Sequence, residues 1–343
     1  MAQATLTIDL NAIAANWRAL DALSGQGTET GAVLKADAYG LGLDKVAPVL
    51  AAAGARSFFV ALAEEGAALR QTLGPGPRIF VFSGHMAGDA PKLRDAELIP
   101  LLNDAVQLRR HKDALPLGPY GLQIDTGMNR LGFEPPELVT GALPAPPTLL
   151  ISHLACADTP DNPANALQRG VFEDLPRIGC PRSLSATGGT MLGASFHYDL
   201  TRPGIGLFGG MPFAAARPVV RLSLPVIQTR SVAVGEFVGY GADWHAETPR
   251  RIATLSSGYA DGLIRALGGK AMLWAADRPC PVVGRVSMDL LTADVTDLPE
   301  VPATLDIIGP HAGIDALAAA AGTIGYEILT SLGARYQRVY INP

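Results

Sequence analysis

Between residues 31 and 210, short apolar runs alternate with stretches whose apolar residues recur at helical spacing. The apolar runs predict strands over 31–35 (GAVLK), 57–62 (SFFVAL), 78–83 (RIFVFS) and 98–103 (LIPLLN). Four more follow at 120–125 (YGLQID), 147–153 (PTLLISH), 183–187 (SLSAT) and 203–208 (PGIGLF). Amphipathic patterns between them predict helices at Asp44–Ala53, Ala63–Leu73 and Ala164–Leu175. Strands that alternate with helices imply βα units and a parallel sheet. Eight of them over about 180 residues fit a short (β/α)₈ barrel, with a doubly wound open sheet as the alternative. No G-x-G-x-x-G follows the first strand, which argues against a dinucleotide site.

After Pro218 the period changes to two. The segments PVVRLSLPVIQTRSVAVGEFVGYG, RRIATLSS, AMLWA, PVVGRVSMDLLTADV, LDIIG and ARYQRVYIN alternate apolar and polar positions, broken by Gly and Pro. This predicts a mostly antiparallel β domain, with helices at Ile314–Ala321 and near Thr323–Thr330. The expected division is therefore a barrel over residues 1–217 and a β domain over 218–343, the first few residues pairing with the latter. A length of 343 residues, at about 150 per domain, agrees with two domains.

Composition narrows the function. Hydrophobic residues make up 48% and charged residues 17%, ample for a large core. The net charge of −5 comes without a basic cluster, which disfavours nucleic-acid or anionic-membrane binding. The start lacks a basic segment followed by an apolar run, and no stretch approaches a bilayer span. Three cysteines, Cys156, Cys180 and Cys280, suggest a reducing compartment and hence a cytoplasmic enzyme. Cys156, beside His153, is expected to be a small buried hydrophobe.

Of the 27 basic residues only five are lysines, so a Lys inside an apolar, Gly-rich segment stands out. Lys35 ends the first predicted strand and is followed by ADAYGLG. The C-terminal ends of barrel strands carry the chemistry of such folds. Desolvation there lowers an ammonium pKa, which an imine-forming lysine requires.

The segment AVLKADAYGLG resembles the pyridoxal-phosphate (PLP) lysine motif of bacterial alanine racemases. DTGMNRLGF (125–133), SHLACAD (152–158), RPGIGLFGG (202–210), SGYADG (257–262), GRVSMD (284–289) and GARYQRVY (333–340) resemble further motifs of that family, in family order. The resemblance spans almost the whole chain. It implies a PLP-binding (β/α)₈ barrel followed by a β domain, and no metal.

By resemblance Lys35 carries PLP covalently and moves the substrate α-proton on one face, and Tyr259 is the base on the other. Racemisation needs two bases because the proton leaves one face of a planar carbanion and returns to the opposite one. Arg202 is implied to face the pyridine nitrogen and keep it unprotonated, favouring reprotonation over side reactions. His153 would link Tyr259 to Arg202. A second His that many members add to this chain is Ser183 here. The phosphate is implied to meet Tyr39, Thr187, Gly204, Ile205 and Tyr336. Arg130 is implied to contact the cofactor phenolic oxygen and the substrate carboxylate. A neighbouring Lys that many racemases carbamylate is Gln123 here, so no carbamate is expected and the amide could hydrogen-bond Arg130. Met288 and Asp289 match a loop contributed by the second subunit, and Arg285 and Asp158 match an entrance corridor. The family pattern thus implies a homodimer with shared sites.

The expected function is PLP-dependent interconversion of L- and D-alanine for peptidoglycan. A broader racemase that also accepts serine is an alternative, because an apolar pocket discriminates weakly against an added hydroxyl. A PLP decarboxylase of the same fold would not need Tyr259. A barrel-only PLP carrier would lack the β domain.

Overall fold

The structure, a computed structural model, describes residues 3–135, 143 and 146–342. The chain divides into two compact units. One comprises Ile13–Leu207 with Met211–Ala216, the other Met1–Ala12, Phe208–Gly210 and Arg217–Pro343.

The first unit is a parallel barrel. Strands Ala32–Val33, Ser57–Val60, Arg78–Val81, Ile99–Leu102, Gly121–Gln123, Leu150–Ile151 and Arg182–Ser183 pair in sequence order, all parallel. The ring closes through Leu200–Thr201, which pairs in parallel with Glu29–Thr30, and through a bridge between Ala186 and Arg202. Runs such as SFFV and IPLL are buried at every position, as expected where one face fills the barrel and the other lies under helices. Gly31 divides the first strand. A side chain there would press on the Ser57 carbonyl, 2.9 Å from an added Cβ, so only glycine lets the two halves serve different neighbours. Helices Leu43–Ala53, Ala63–Leu73 and Pro163–Asp174 fall within a residue of the predicted spans at both ends.

Three features depart from the sequence expectation. The predicted strand 183–187 is reduced to Arg182–Ser183, and Thr187 opens a helix. Leu10–Leu23 forms a helix that the reading from residue 31 onward had not included. The eighth strand is Leu200–Thr201, not 203–208, where Ile205–Phe208 is a 3₁₀ turn. The run PGIGLF is apolar because the turn is buried, with Leu207 fully enclosed. A short apolar run has the same sequence signature in either conformation.

The second unit is antiparallel at its centre. The 13-residue strand Val220–Val232 pairs with both Arg250–Leu255 and Thr304–Ile308. Strands Leu291–Asp294, Arg278–Val283 and Met272–Ala275 complete the circuit between those two partners. The long strand bends at a register shift between Val226 and Gln228. Strand Thr5–Asp9 adds to its edge, antiparallel to Val220–Val232 and parallel to Gln337–Ile341. Helices Ile314–Ala321 and Gly325–Ser331 lie where the sequence predicted them.

Candidate active site

Lys35 lies two residues beyond the strand Ala32–Val33 and opens a left-handed turn. Ala36, Asp37, Ala38 and Tyr39 all have φ between 53° and 58°. Left-handed backbone costs about 1–2 kcal/mol per residue for side chains with a Cβ, so this turn must be held from outside. Glu65 holds one end: Oε1 accepts the Ala36 N–H at 2.7 Å, while Oε2 accepts those of Ala61 (2.7 Å) and Leu62 (3.2 Å). Asp37 Oδ1 closes the other end on the Leu43 N–H at 2.7 Å. The Lys35 ammonium is pushed below its ordinary pKa by burial and by the charge of Arg130, with Glu65 opposing.

Arg130 sits in a loop folded around Asp125, whose carboxylate accepts the N–H groups of Gly127, Met128 and Arg130. Burial works against the ionised Asp125, but these backbone donors win and hold its pKa below the ordinary value. Gln123 donates from Nε2 to the Leu131 carbonyl at 3.1 Å. The amide thus grips the backbone of the loop, not the guanidinium that the sequence reading had suggested as its partner.

His153 stands two residues past Leu150–Ile151. Burial, then the charges of Arg202, Arg130 and Lys35, push its pKa down to about 3. Lys35, Arg130, His153 and Arg202 each follow the C-terminal end of a barrel strand, which puts them at the same mouth of the barrel. The sign of the linked stability effect follows. Between the ordinary His pKa of 6.5 and about 3, the unfolded chain binds a proton at this site that the folded chain does not. Acidification through that window should cost stability, and His153→Gln should flatten the fall in denaturant midpoint between pH 7 and pH 4. Identical slopes for the two proteins would contradict this placement of His153.

Arg202 is 2% exposed. It follows the strand Leu200–Thr201, whereas the sequence reading had it precede the eighth strand; the chemistry-bearing end is where it belongs. Its guanidinium donates to the Ser183 hydroxyl, to the Ser152 carbonyl at 2.6 Å and, at 3.5 Å, to the Leu184 carbonyl. Ser183 in turn donates to the Leu200 carbonyl. No carboxylate pairs with Arg202 among the described residues. Burial lowers its pKa to about 9, which still leaves it charged at neutral pH. Nor do the described hydrogen bonds of Arg202 include one to His153; the two are neighbours in charge.

Beside Arg202, Thr187 opens the short helix Thr187–Met191. Its Oγ1 accepts the N–H groups of Gly204 (3.0 Å) and Gly206 (3.2 Å). A Cβ on Gly204 would collide with the Tyr39 hydroxyl. Two backbone donors, a hydroxyl and a phenol thus share one small volume, and glycine is required for their approach. The sequence reading named Gly204 and Ile205 as donors. The structure adds Gly206, whose role in the turn was hidden by the misplaced strand.

The β unit gathers three of the quoted motifs. Tyr259 begins a 3₁₀ turn to Asp261 and is 44% exposed. Its N–H donates to the Ser287 carbonyl at 3.0 Å, and that of Ala260 to the Met288 carbonyl at 2.9 Å. Tyr336 is buried, with its hydroxyl 3.0 Å from Ser257 Oγ, and burial raises its pKa. Met288 is exposed. Asp289 pairs with Arg335 at 2.7 Å, and Arg285 with Asp243. Asp158, in the other unit, is exposed. Sequence reasoning had no role for Arg335 or Asp261, although both lie in quoted motifs.

This arrangement can be set beside known proteins. The family described as alanine racemase, N-terminal domain, matches residues 8–212, and the C-terminal domain family matches 219–340. An alanine racemase of Cereibacter sphaeroides is 63% identical over 344 residues, covering 99% of each chain. One from Rhodospirillum rubrum is 46% identical, covering 99% of this chain and 96% of its own. Among solved structures, alanine racemase from Bartonella henselae with covalently bound pyridoxal phosphate superposes with a TM-score of 0.94 at 35% identity, covering 99% of this chain and 100% of that one. The biosynthetic alanine racemase of Pseudomonas aeruginosa gives 0.92 at 34%, with full coverage of both. The chain belongs to the alanine racemase family.

Proposed function

We propose that this protein interconverts L- and D-alanine with pyridoxal phosphate as cofactor. The residues at the barrel mouth fit that group. Lys35 has a depressed pKa, as an amine that attacks a carbonyl requires. Thr187, Gly204, Gly206 and Tyr39 gather neutral hydroxyl and N–H groups in one small volume, where a phosphate could take over from Thr187 Oγ1 as acceptor of the two glycine N–H groups. The observation that carries the reading is Arg202, a buried cation whose hydrogen-bond partners among the described residues are a hydroxyl and backbone carbonyls. Facing a pyridine nitrogen, it would keep that nitrogen unprotonated. PLP, when bound, supplies an electron sink that makes the α-carbon acidic. Arg202 tempers that sink, so simple return of the proton is favoured over decarboxylation or transamination.

The chain's own residues divide the work. Arg130 holds the substrate carboxylate, its loop fixed by Asp125 and Gln123. Lys35 takes or returns the α-proton on the face that D-alanine presents. Tyr259 serves the opposite face. His153 stays neutral and accepts no proton in the physiological range. Gln123 has no amine that could form a carbamate, so none is expected at this position.

The family pattern supplies Tyr259 and Met288 from a second copy of the chain. Their exposure, 44% and 54%, leaves both side chains available for this. We place the homodimer in the cytoplasm, feeding peptidoglycan synthesis. Among the described residues no helix is long and apolar enough to cross a membrane. Mixing inactive Lys35→Ala and Tyr259→Phe proteins tests the arrangement. Exchange of subunits should restore part of the activity, because one hybrid site then holds both bases. A fully active monomer in sedimentation at assay concentration would contradict it.

A further inference from the structure

The exposed ring of Tyr259 leaves its position to the backbone that carries it, and that backbone is tied to one residue far along the sequence. Asp261, two residues on, is buried, with its side chain 5% exposed. It accepts the Gly258 N–H at 2.9 Å and takes a two-pronged ion pair from Arg335, Nε at 2.6 Å and Nη2 at 2.9 Å. The third guanidinium nitrogen of Arg335 reaches Asp289 at 2.7 Å, in the loop whose carbonyls receive the N–H groups of Tyr259 and Ala260. The backbones are also clasped: the Gly333 N–H donates to the Asp261 carbonyl at 2.9 Å. Gly262, at φ 95°, lies so close to Ser331 that a Cβ would collide with its carbonyl oxygen. Tyr336, next to Arg335, closes the circuit through Ser257.

We infer that Arg335 is a positioning residue for Tyr259: its fork on Asp261 and its bond to Asp289 fix the turn and loop that aim the phenol at the substrate. This rests on Tyr259 being the second base. Only a planar, five-donor side chain can hold two carboxylates at once in this way. Lysine at this position would keep the charge and lose the fork.

The consequence is one-sided. Arg335 has no part in what Lys35 does, so its loss should impair only the Tyr259 half of the reaction. Arg335→Gln, Arg335→Lys and Asp261→Asn, each in the full chain with PLP bound, should be compared with Tyr259→Phe. The measurements are kcat and KM for racemisation and α-deuterium incorporation from each isomer in D₂O. A misaimed base costs about 10²-fold, so kcat for Arg335→Gln should fall by that order with KM nearly unchanged. Incorporation with retention from D-alanine should continue at the normal rate, and PLP content should be normal. Arg335→Lys should fall between the two. It also carries the test if the Gln variant does not fold.

Equal loss of incorporation from both isomers, or loss of PLP, would mark Arg335 as merely structural and overturn the inference. Normal racemisation by Arg335→Gln alongside a defective Tyr259→Phe would overturn it while leaving the proposed function standing. Normal racemisation by Tyr259→Phe itself would remove the second-base reading and this inference with it.

Discussion

Replacing Lys35 with alanine should lower racemisation by about 10⁴ or more, because one side chain supplies both the covalent hold on PLP and a base. The depressed Lys35 pKa and the convergence of Arg130, His153 and Arg202 on the same mouth single it out from the other four lysines. Lys45 and Lys92 form ion pairs with Asp44 and Glu64 on exposed helical surface, as lysines usually do. Borohydride reduction of the holoprotein followed by peptide mapping should place the pyridoxyl group on Lys35. A label on Lys45, Lys92, Lys112 or Lys270, or a Lys35→Ala variant that keeps a tenth of the activity, would contradict the site.

The second large effect concerns Tyr259. Removing its hydroxyl as Tyr259→Phe should leave PLP bound, since the covalent hold needs only Lys35. Racemisation should fall by about 10²- to 10⁴-fold, the usual cost of a lost general base. The substitution removes one oxygen from a half-exposed ring, so stability should change little. An unchanged rate would return Tyr259 to a packing role and favour a single base at Lys35.

Much of this was legible in the residue pattern, for physical reasons. Parallel barrel strands are buried on both faces, so FFV, IFV and IPLL stand out as unbroken apolar runs. The amphipathic helices Leu43–Ala53, Ala63–Leu73 and Pro163–Asp174 announced themselves at nearly the right residues. Lys35 stood out as a lysine in an apolar, Gly-bearing segment, whereas Tyr259 was named only through the resemblance of SGYADG to a family motif. The eighth strand was misread because a buried 3₁₀ turn and a buried strand are equally apolar. The placement of Arg202 and the contribution of Gly206 went with it. Other features leave no local trace. The four-residue left-handed turn is the segment ADAY, whose Ala and Tyr residues ordinarily avoid that region, and what sustains it is Glu65, on another element. The pair between Asp261 and Arg335 joins residues 74 apart, and periodicity carries no information at that distance. The same holds for Gln123, whose amide reaches the Leu131 backbone, not the guanidinium that pairwise substitution logic suggested.

The two-base assignment is tested most directly by α-deuterium incorporation in Tyr259→Phe. The variant, loaded with PLP, is given D-alanine or L-alanine separately in D₂O, and both the label and the configuration of the product are read. With Lys35 serving one face and Tyr259 the other, D-alanine should acquire deuterium at C-α with retention while L-alanine acquires almost none. Inversion should be nearly absent in both cases. Deuterium entering both isomers at comparable rates with continued inversion would show that one base reaches both faces, and would contradict the account.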